Sequence, residues 1–493
     1  MQPPRPAVAW WGLVLVSMAF GIALIAASGG YGYHRDELYF IAIGAHPNFG
    51  YVDQPPLLPL LTHAMDALFG HSLMWLRLPA ALAGALVVLV TGLIAREFGG
   101  MSGAQLLAAG SMAVSAVLVS VSHLATTSVF DLLGWTVVSW LVVRALREDG
   151  PAWLLVGLAA GISLEVKTLP VFLYFALLLG LLIGGPRQVL TSRWLWAGAT
   201  IALVLWAPNL VWEATHGWPQ LTVSASIARG QSGTSQPRWL FIPYQVVLIS
   251  PVLVPVWIAG LWRLARDPHL ARWRCVAIAY PVLVVIFVAT GGKPYYLCGM
   301  YPALLAAGAE PTLAWMRRGA SRARTAMVGT AIALSAVVSA VLMLPIVPVA
   351  SLHDTPVVAI NYDAGETVGW PRFAANIARA YDALPAEQRR HAVVLGANYG
   401  EAGAVLRFRP GIPTYSGHNS FWNLGPPPAD TQTAIVVGYP ETDLRRWFTH
   451  VQRIDTIDNG VRLHNDEQSQ IVWLCTDPTL SWTALWPKMH RVG

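Results

Sequence analysis

The sequence predicts a mainly α, polytopic membrane protein that ends in one small α/β domain. Three observations lead there. Hydrophobic residues make up 55% of the chain and charged residues only 12%, about half the charged share of a soluble domain, so lipid is the solvent for most of it. Apolar runs of span length recur from residue 8 to residue 349. Beyond Ala350 polar and charged residues return, and the apolar runs shorten to strand length.

A membrane-crossing helix needs about 20 mostly apolar residues. Runs that meet or approach this are 8–28, 76–95, 103–122, 131–147, 152–167, 169–185, 194–213, 240–262, 274–290, 296–316 and 325–349, about 11 helices, the pair around Lys167 being the shortest. The first is long and is followed by many more, which marks an uncleaved anchor rather than a secretory signal. Residues 29–75 form a long loop in which Leu57–Leu68 has the pattern of a helix lying along the interface. From 350 to 493 the strand-like runs are His391–Ala397, Thr433–Gly438, Val451–Ile457 and Gln470–Cys475, with helical patterns at Trp370–Leu384 and Glu441–Phe448. Strand and helix signals that alternate over this length predict an α/β domain. The division expected is thus 1–349 and 350–493.

Charge sets the orientation. The net charge is +6 and comes from arginine, since Lys167, Lys293 and Lys488 are the only lysines. With the N-terminus inside, the cytoplasmic ends carry the arginines at 5, 96, 144, 147, 187, 193, 263, 266, 272, 274, 317, 318, 322 and 324. The opposite ends of the membrane part carry only Arg35, Arg77, Lys167, Arg229, Arg238 and Lys293. This is the positive-inside bias of a membrane protein, and basic residues spread over short loops do not make a nucleic-acid surface. The C-terminal domain and the loop 29–75 are then extracytoplasmic. Three cysteines, Cys275, Cys298 and Cys475, show neither disulfide nor zinc spacing.

Chemistry-bearing residues gather on the outward side. An uncharged run from Ala7 to Gly30 gives way to His34, Arg35, Asp36 and Glu37, set among Tyr31, Tyr33, Tyr39 and Phe40. Charges at the mouth of a membrane span are costly unless solvated or paired, so they mark a functional site; the plainer reading is an anchor with an aromatic belt. Asp53 follows, before Gln54 and two prolines that enforce an extended turn. Asp131 opens a later span, where a helix dipole alone would favour a carboxylate. His216 opens the loop after the 194–213 run, and Lys293 stands in Gly291-Gly292-Lys293-Pro294-Tyr295-Tyr296, where a snorkelling lysine is the rival reading.

One chemistry uses them all. A lipid-linked phosphate needs fixed cations at the membrane surface, which Lys293 with Arg77 or His216 would supply. An acceptor hydroxyl attacking a sugar carbon needs a carboxylate to take its proton, a role suited to Asp36. Asp131 or Asp53 would orient the acceptor or hold an ion. No cofactor motif is present: P-loop, Rossmann glycines, HExxH and a GxSxG elbow are all missing. A divalent metal is the one cofactor the carboxylates leave open.

In order, Asp36-Glu37-x-x-Phe40, Asp53-Gln54-Pro55-Pro56-Leu57, Asp131, Lys167, Lys293-x-Tyr295-Tyr296 and Tyr301-Pro302-Ala303-Leu304 resemble the dolichyl-phosphate-mannose-protein mannosyltransferase superfamily. Within it the pattern is similar to bacterial glycosyltransferase family 39 and the lipid A aminoarabinose transferases. Asn398-Tyr399-Gly400-Glu401-Ala402-Gly403-Ala404 and Ser416-Gly417-His418-Asn419 resemble the outer domain of one bacterial branch. The resemblance implies a GT-C transmembrane bundle in a bacterial plasma membrane. It implies a polyprenyl-phosphate sugar donor and an acceptor hydroxyl on a lipid, glycan or protein. By motif Asp36 is the catalytic carboxylate with Glu37 beside it, Asp131 the second loop's acid, and Lys293, with Tyr295 and Tyr296, the phosphate side. Relatives often carry Lys where this chain has Gln54. A transporter or lipid flippase is the rival from another class; it should show inverted repeats with broken helices, and no internal repeat is visible.

Overall fold

The computed structural model describes residues 5–230, 234–319 and 321–493. Two compact units emerge: residues 1–28, 77–217 and 227–344 form the first, and 29–76, 218–226 and 345–493 the second. The loop 29–76 therefore groups with the C-terminal segment, not with the spans that flank it as the division at 349/350 expects.

The first unit is the helical bundle. Among the described residues six helices are long and apolar enough to cross a membrane: Trp10–Ala27, Leu73–Glu97, Thr127–Glu148, Arg193–Thr215, Pro268–Thr290 and Ser321–Met343. Two further spans are broken, Ser102–Ala113 with Ala116–Ser122 at 61° and Arg238–Ile249 with Pro251–Arg266 at 86°. By length and composition the described residues thus hold six such spans, or eight if each bent pair counts as one, and three shorter helices bring the bundle to the roughly 11 helices expected. Ala152–Leu164, Pro170–Gly184 and Tyr301–Met316 are helical but shorter than a bilayer crossing needs.

The breaks have a local cause and a distant remedy. At the second, Ser250 takes φ +84° and Pro251 follows it, which no α-helix passes through. A broken helix frees backbone groups that lipid cannot satisfy. Ser335 and Ser339 of the last long helix meet that need: both hydroxyls donate to the Val114 carbonyl, at 2.8 and 2.9 Å, and Ser335 also bonds the Ser250 hydroxyl at 2.9 Å. Elsewhere small residues let helices touch. A Cβ on Gly157 would lie 2.0 Å from the Gly198 carbonyl oxygen, so helices 152–164 and 193–215 cross backbone against backbone.

The second unit is built on a five-stranded sheet, β1 (Ala392–Gly396), β2 (Thr414–Ser416), β3 (Thr433–Val437), β4 (Phe448–Thr456) and β5 (Ile471–Pro478), in the order β2-β1-β3-β5-β4. β1 runs parallel to β2 and β3, with Val394 opposite Ile435, while β5 runs antiparallel to β3 and β4. β1 and β3 are buried along their whole length, as parallel strands covered on both faces must be. β4 is an edge strand with exposed His450, Gln452 and Arg453 and a bulge between Arg453 and Asp455. Two helices set the site on this frame: Arg35–Gly44, from the loop, and Tyr399–Phe408, which follows β1.

Candidate functional site

Helix Arg35–Gly44 starts with a capping box. His34 Nδ1 accepts from the Asp36 N–H at 3.2 Å, and Glu37 Oε2 accepts from the His34 N–H at 2.8 Å. Glu37 is fully buried by this, so the structure gives it the work of a helix cap. Asp36, one residue earlier, keeps 31% of its side chain exposed.

Helix Tyr399–Phe408 packs on the first through its glycines. A Cβ on Gly400 would come within 3.0 Å of Arg35 Cβ, and one on Gly403 within 3.0 Å of Leu38 Cβ. Its own N-terminus is a second capping box, Asn398 with Glu401. The run Asn-Tyr-Gly-Glu-Ala-Gly thus encodes a cap, two close approaches and one side chain between them. That side chain is Tyr399, whose hydroxyl donates to Asp36 Oδ1 at 2.8 Å.

A matching pair lies beside it. The Tyr39 hydroxyl donates to Asp53 Oδ1 at 2.7 Å and accepts from the Ser420 N–H at 3.1 Å, while Ser420 Oγ accepts from the Val52 N–H at 2.9 Å. The Tyr39 and Tyr399 rings are 4.7 Å apart, and the His418 ring lies 5.0 Å from that of Tyr399. The Arg35 guanidinium sits 4.9 Å above the Tyr399 ring and pairs with Glu366 at 2.7 Å. Two carboxylates, Asp36 and Asp53, are therefore each met by a tyrosine hydroxyl, and Asp36 also has the His34 imidazole 4.0 Å from its Oδ2.

Burial tunes these groups. It pushes the Asp53 carboxyl up to about 7 against the pull of the Tyr39 hydrogen bond, with the nearby Asp36 charge adding to the rise. Burial raises Tyr399 well above the usual phenol range despite Arg35, so it stays a proton donor. Burial opposes a charge on His34, but Asp363, Asp36 and Glu37 outweigh it and raise the imidazole. Burial pushes His418 down to about 3, which keeps it neutral. Gln54 is buried, exchanges backbone hydrogen bonds with Tyr51, and leaves its Nε2 without a hydrogen bond among the described residues.

The first unit holds the other expected residues. Asp131 accepts from Trp135 Nε1 at 3.0 Å and feels the charge of Lys167. The Lys167 ammonium lies 5.3 Å from the Tyr296 ring centre and 5.6 Å from that of Tyr295; Lys293 lies 5.9 Å from Tyr295. The two rings meet edge to face at 5.1 Å. Gln245 holds their segment, donating to the Pro294 carbonyl at 2.9 Å and accepting from the Tyr301 hydroxyl at 2.6 Å. Asp131, Lys167, Lys293, Tyr295 and Tyr296 thus form one patch.

Arg77 and His216 are differently engaged. Arg77 is buried and donates to the Ser28 carbonyl at 2.6 Å, bracing the end of the first helix. His216 stacks on Trp212 at 4.2 Å and bonds its carbonyl at 2.8 Å. Among the described residues no three His, Cys, Asp or Glu side chains group so as to hold a metal ion. Tyr399, Tyr39 and Ser420 were not expected in the site from the residues; the aromatic-acidic repetition of the 31–59 stretch signals Tyr39, while Tyr399 and Ser420 lie hundreds of residues away.

The family model for dolichyl-phosphate-mannose-protein mannosyltransferase matches residues 53–212, about a third of the chain. Comparison with curated proteins finds no match. Among solved structures, ArnT from Cupriavidus metallidurans bound to undecaprenyl phosphate aligns with a TM-score of 0.59 and 16% identity, covering 95% of this chain and 98% of that one. The same enzyme in the apo state gives 0.58 and 16%, over 94% and 98%. The mycobacterial arabinofuranosyltransferase AftD gives 0.51 and 13%, over 96% of this chain and 42% of its own. The chain therefore shares the fold of ArnT, and its residues 53–212 are similar to the dolichyl-phosphate-mannose-protein mannosyltransferases.

Proposed function

We propose that this protein transfers a sugar from a polyprenyl-phosphate sugar to an acceptor hydroxyl on the outer face of a bacterial plasma membrane, with inversion at the sugar carbon. The observation that carries the proposal is Asp36: a carboxylate fixed at a helix start, bonded by a neutral hydroxyl on one oxygen and part-exposed. Such a group accepts the proton of an attacking hydroxyl. The acceptor O–H breaks to Asp36 as its oxygen bonds the sugar carbon, and the carbon–oxygen bond to phosphate breaks with its electron pair leaving on the phosphate. That monoester needs charge neutralisation more than a proton, which Lys293 and Lys167 supply. Tyr295 and Tyr296 hold the two ammonium groups by their ring faces, and Asp131 fixes Lys167. Asp53 orients the acceptor. The polyprenyl class of donor is supported by the undecaprenyl phosphate bound to ArnT. The flippase reading lacks the inverted repeats it needs, and the fold is shared with glycosyltransferases.

The test is to incubate purified protein with radiolabelled polyprenyl-phosphate sugars and envelope acceptors, with Asp36→Asn as the control. Transfer by wild type and not by the variant is expected; equal transfer by both removes the assignment. Cysteine labelling fixes the orientation: a cysteine at 398 should react from outside and one at 318 from inside. The reverse pattern would overturn the outer-face assignment.

A further inference from the structure

We propose that Tyr399 is a positioning residue for the transfer reaction, aiming the Asp36 carboxylate so that one chosen oxygen receives the acceptor proton. The inference rests on the reading of Asp36 as base and gives the C-terminal segment a part in the chemistry. Asp36 carries two oxygens on a side chain that can turn. Tyr399 occupies Oδ1 at 2.8 Å. Oδ2 lies 4.0 Å from His34 Nδ1, which already accepts from the Asp36 N–H. Oδ2 is thus the oxygen left for substrate.

The phenol is itself held by three neighbours. Its ring lies 4.7 Å from that of Tyr39 and 5.0 Å from that of His418, with the Arg35 guanidinium 4.9 Å from its centre. Its backbone is fixed by the Asn398–Glu401 capping box, and Gly400 lets that turn lie close against Arg35. A hydroxyl placed so firmly orders its partner at little entropic cost when the reaction occurs, which is the condition for preorganised catalysis. Nothing in packing alone calls for the oxygen, since phenylalanine would fill the same ring slot.

Tyr399→Phe deletes only that oxygen. The expected result is a fall in kcat of about tenfold, the scale of a hydrogen bond to a charged group, with the donor KM and the melting temperature unchanged. Replacing Tyr399 with 3,5-difluorotyrosine keeps ring and hydroxyl and should hold kcat near that of wild type. This second variant decides the matter even where phenylalanine disturbs folding.

The double variant Asp36→Asn/Tyr399→Phe completes the cycle. A residue that acts through Asp36 adds no further loss once Asp36 is gone. An additive loss, or wild-type kcat in the single Phe variant while Asp36→Asn is inactive, overturns the role of Tyr399 and leaves the base intact. Wild-type turnover by Asp36→Asn overturns both.

Discussion

Two carboxylate clusters of this protein use opposite neighbours. In the helical unit Glu97 is buried under guanidinium groups: Arg5 binds it through two nitrogens at 2.9 and 3.1 Å, and Arg147 Nε lies 3.4 Å away. Arg147 also donates to the Glu97 backbone carbonyl and stacks on Trp273. In the other unit Asp36 and Asp53 are met by tyrosine hydroxyls. A guanidinium holds its carboxylate as an ion and uses up the lone pairs, which makes a clamp. A phenol bonds one oxygen and leaves the other able to take a proton, as the base proposed at Asp36 must. The same residue type becomes structure or chemistry according to who sits beside it.

Exchanging the charge tests this at both places. Asp36→Asn preserves volume and the Tyr399 contact, and should cut turnover by about 10²–10⁴-fold, the usual loss of a positioned base, with the melting temperature unchanged. Glu97→Gln should do the reverse. It removes the buried carboxylate that Arg5 and Arg147 share, although Arg5 keeps Glu148 and Arg147 keeps the Glu97 carbonyl, and should lower the melting temperature while the folded fraction turns over as wild type. Thermal unfolding in detergent alongside an initial-rate assay separates the two. A Glu97→Gln protein that is stable but inactive would break the distinction.

A third, smaller effect is expected at Lys293. Its ammonium lies against Tyr295 on a segment pinned by Gln245. Lys293→Met keeps the aliphatic stem and should weaken donor binding about tenfold and slow the chemical step, since charge grows on the phosphate as the sugar leaves. Lys293→Arg should recover part of both. A Met variant that binds and reacts like wild type makes Lys293 a snorkelling anchor.

What was legible in the sequence follows from range. The long helices and the buried strands β1 and β3 could be read because a lipid-facing or doubly covered element is apolar over its own length. The helix breaks near Val114 and Ser250 could not, because the runs stay apolar across them and the hydroxyls that satisfy them come from Ser335 and Ser339, far downstream. β2 has three residues and no period to show. Asp36, Asp53 and the Lys167–Lys293 patch stood out as costly charges beside apolar runs. The helix Arg35–Gly44 was hidden because its cap is a histidine, outside the usual Ser, Thr, Asp and Asn. Tyr399 lies 363 residues from Asp36, a pairing that only folding reveals.

The smallest effect expected is a pH dependence of stability that belongs to Asp53. Burial holds its carboxyl at about 7 in the folded protein, against about 3.9 when unfolded. Between these values the folded state binds the proton and the unfolded state does not. Stability therefore has its full contribution from this group below about pH 4 and loses it as pH rises toward 7. Glu401, also pushed up to about 7 by burial, and His34, raised by its carboxylate neighbours, act in the same direction, while His418, pushed down to about 3, acts against them below about pH 6.5, so the loss in wild type should be steepest above about pH 6.5. Asp53→Asn keeps an oxygen to accept the Tyr39 hydrogen bond and removes the titration. Its melting temperature should change less with pH than that of wild type, the two curves meeting at low pH, where the Asp53 carboxyl is neutral, and separating as pH rises and wild type bears the cost of a buried charge. Glu97→Gln, changed at a clamp met by guanidinium groups, should leave the wild-type slope between pH 5 and 8 unaltered. Parallel curves for Asp53→Asn and wild type would mean that Asp53 keeps its charge when folded, and its tyrosine then marks a clamp like any other.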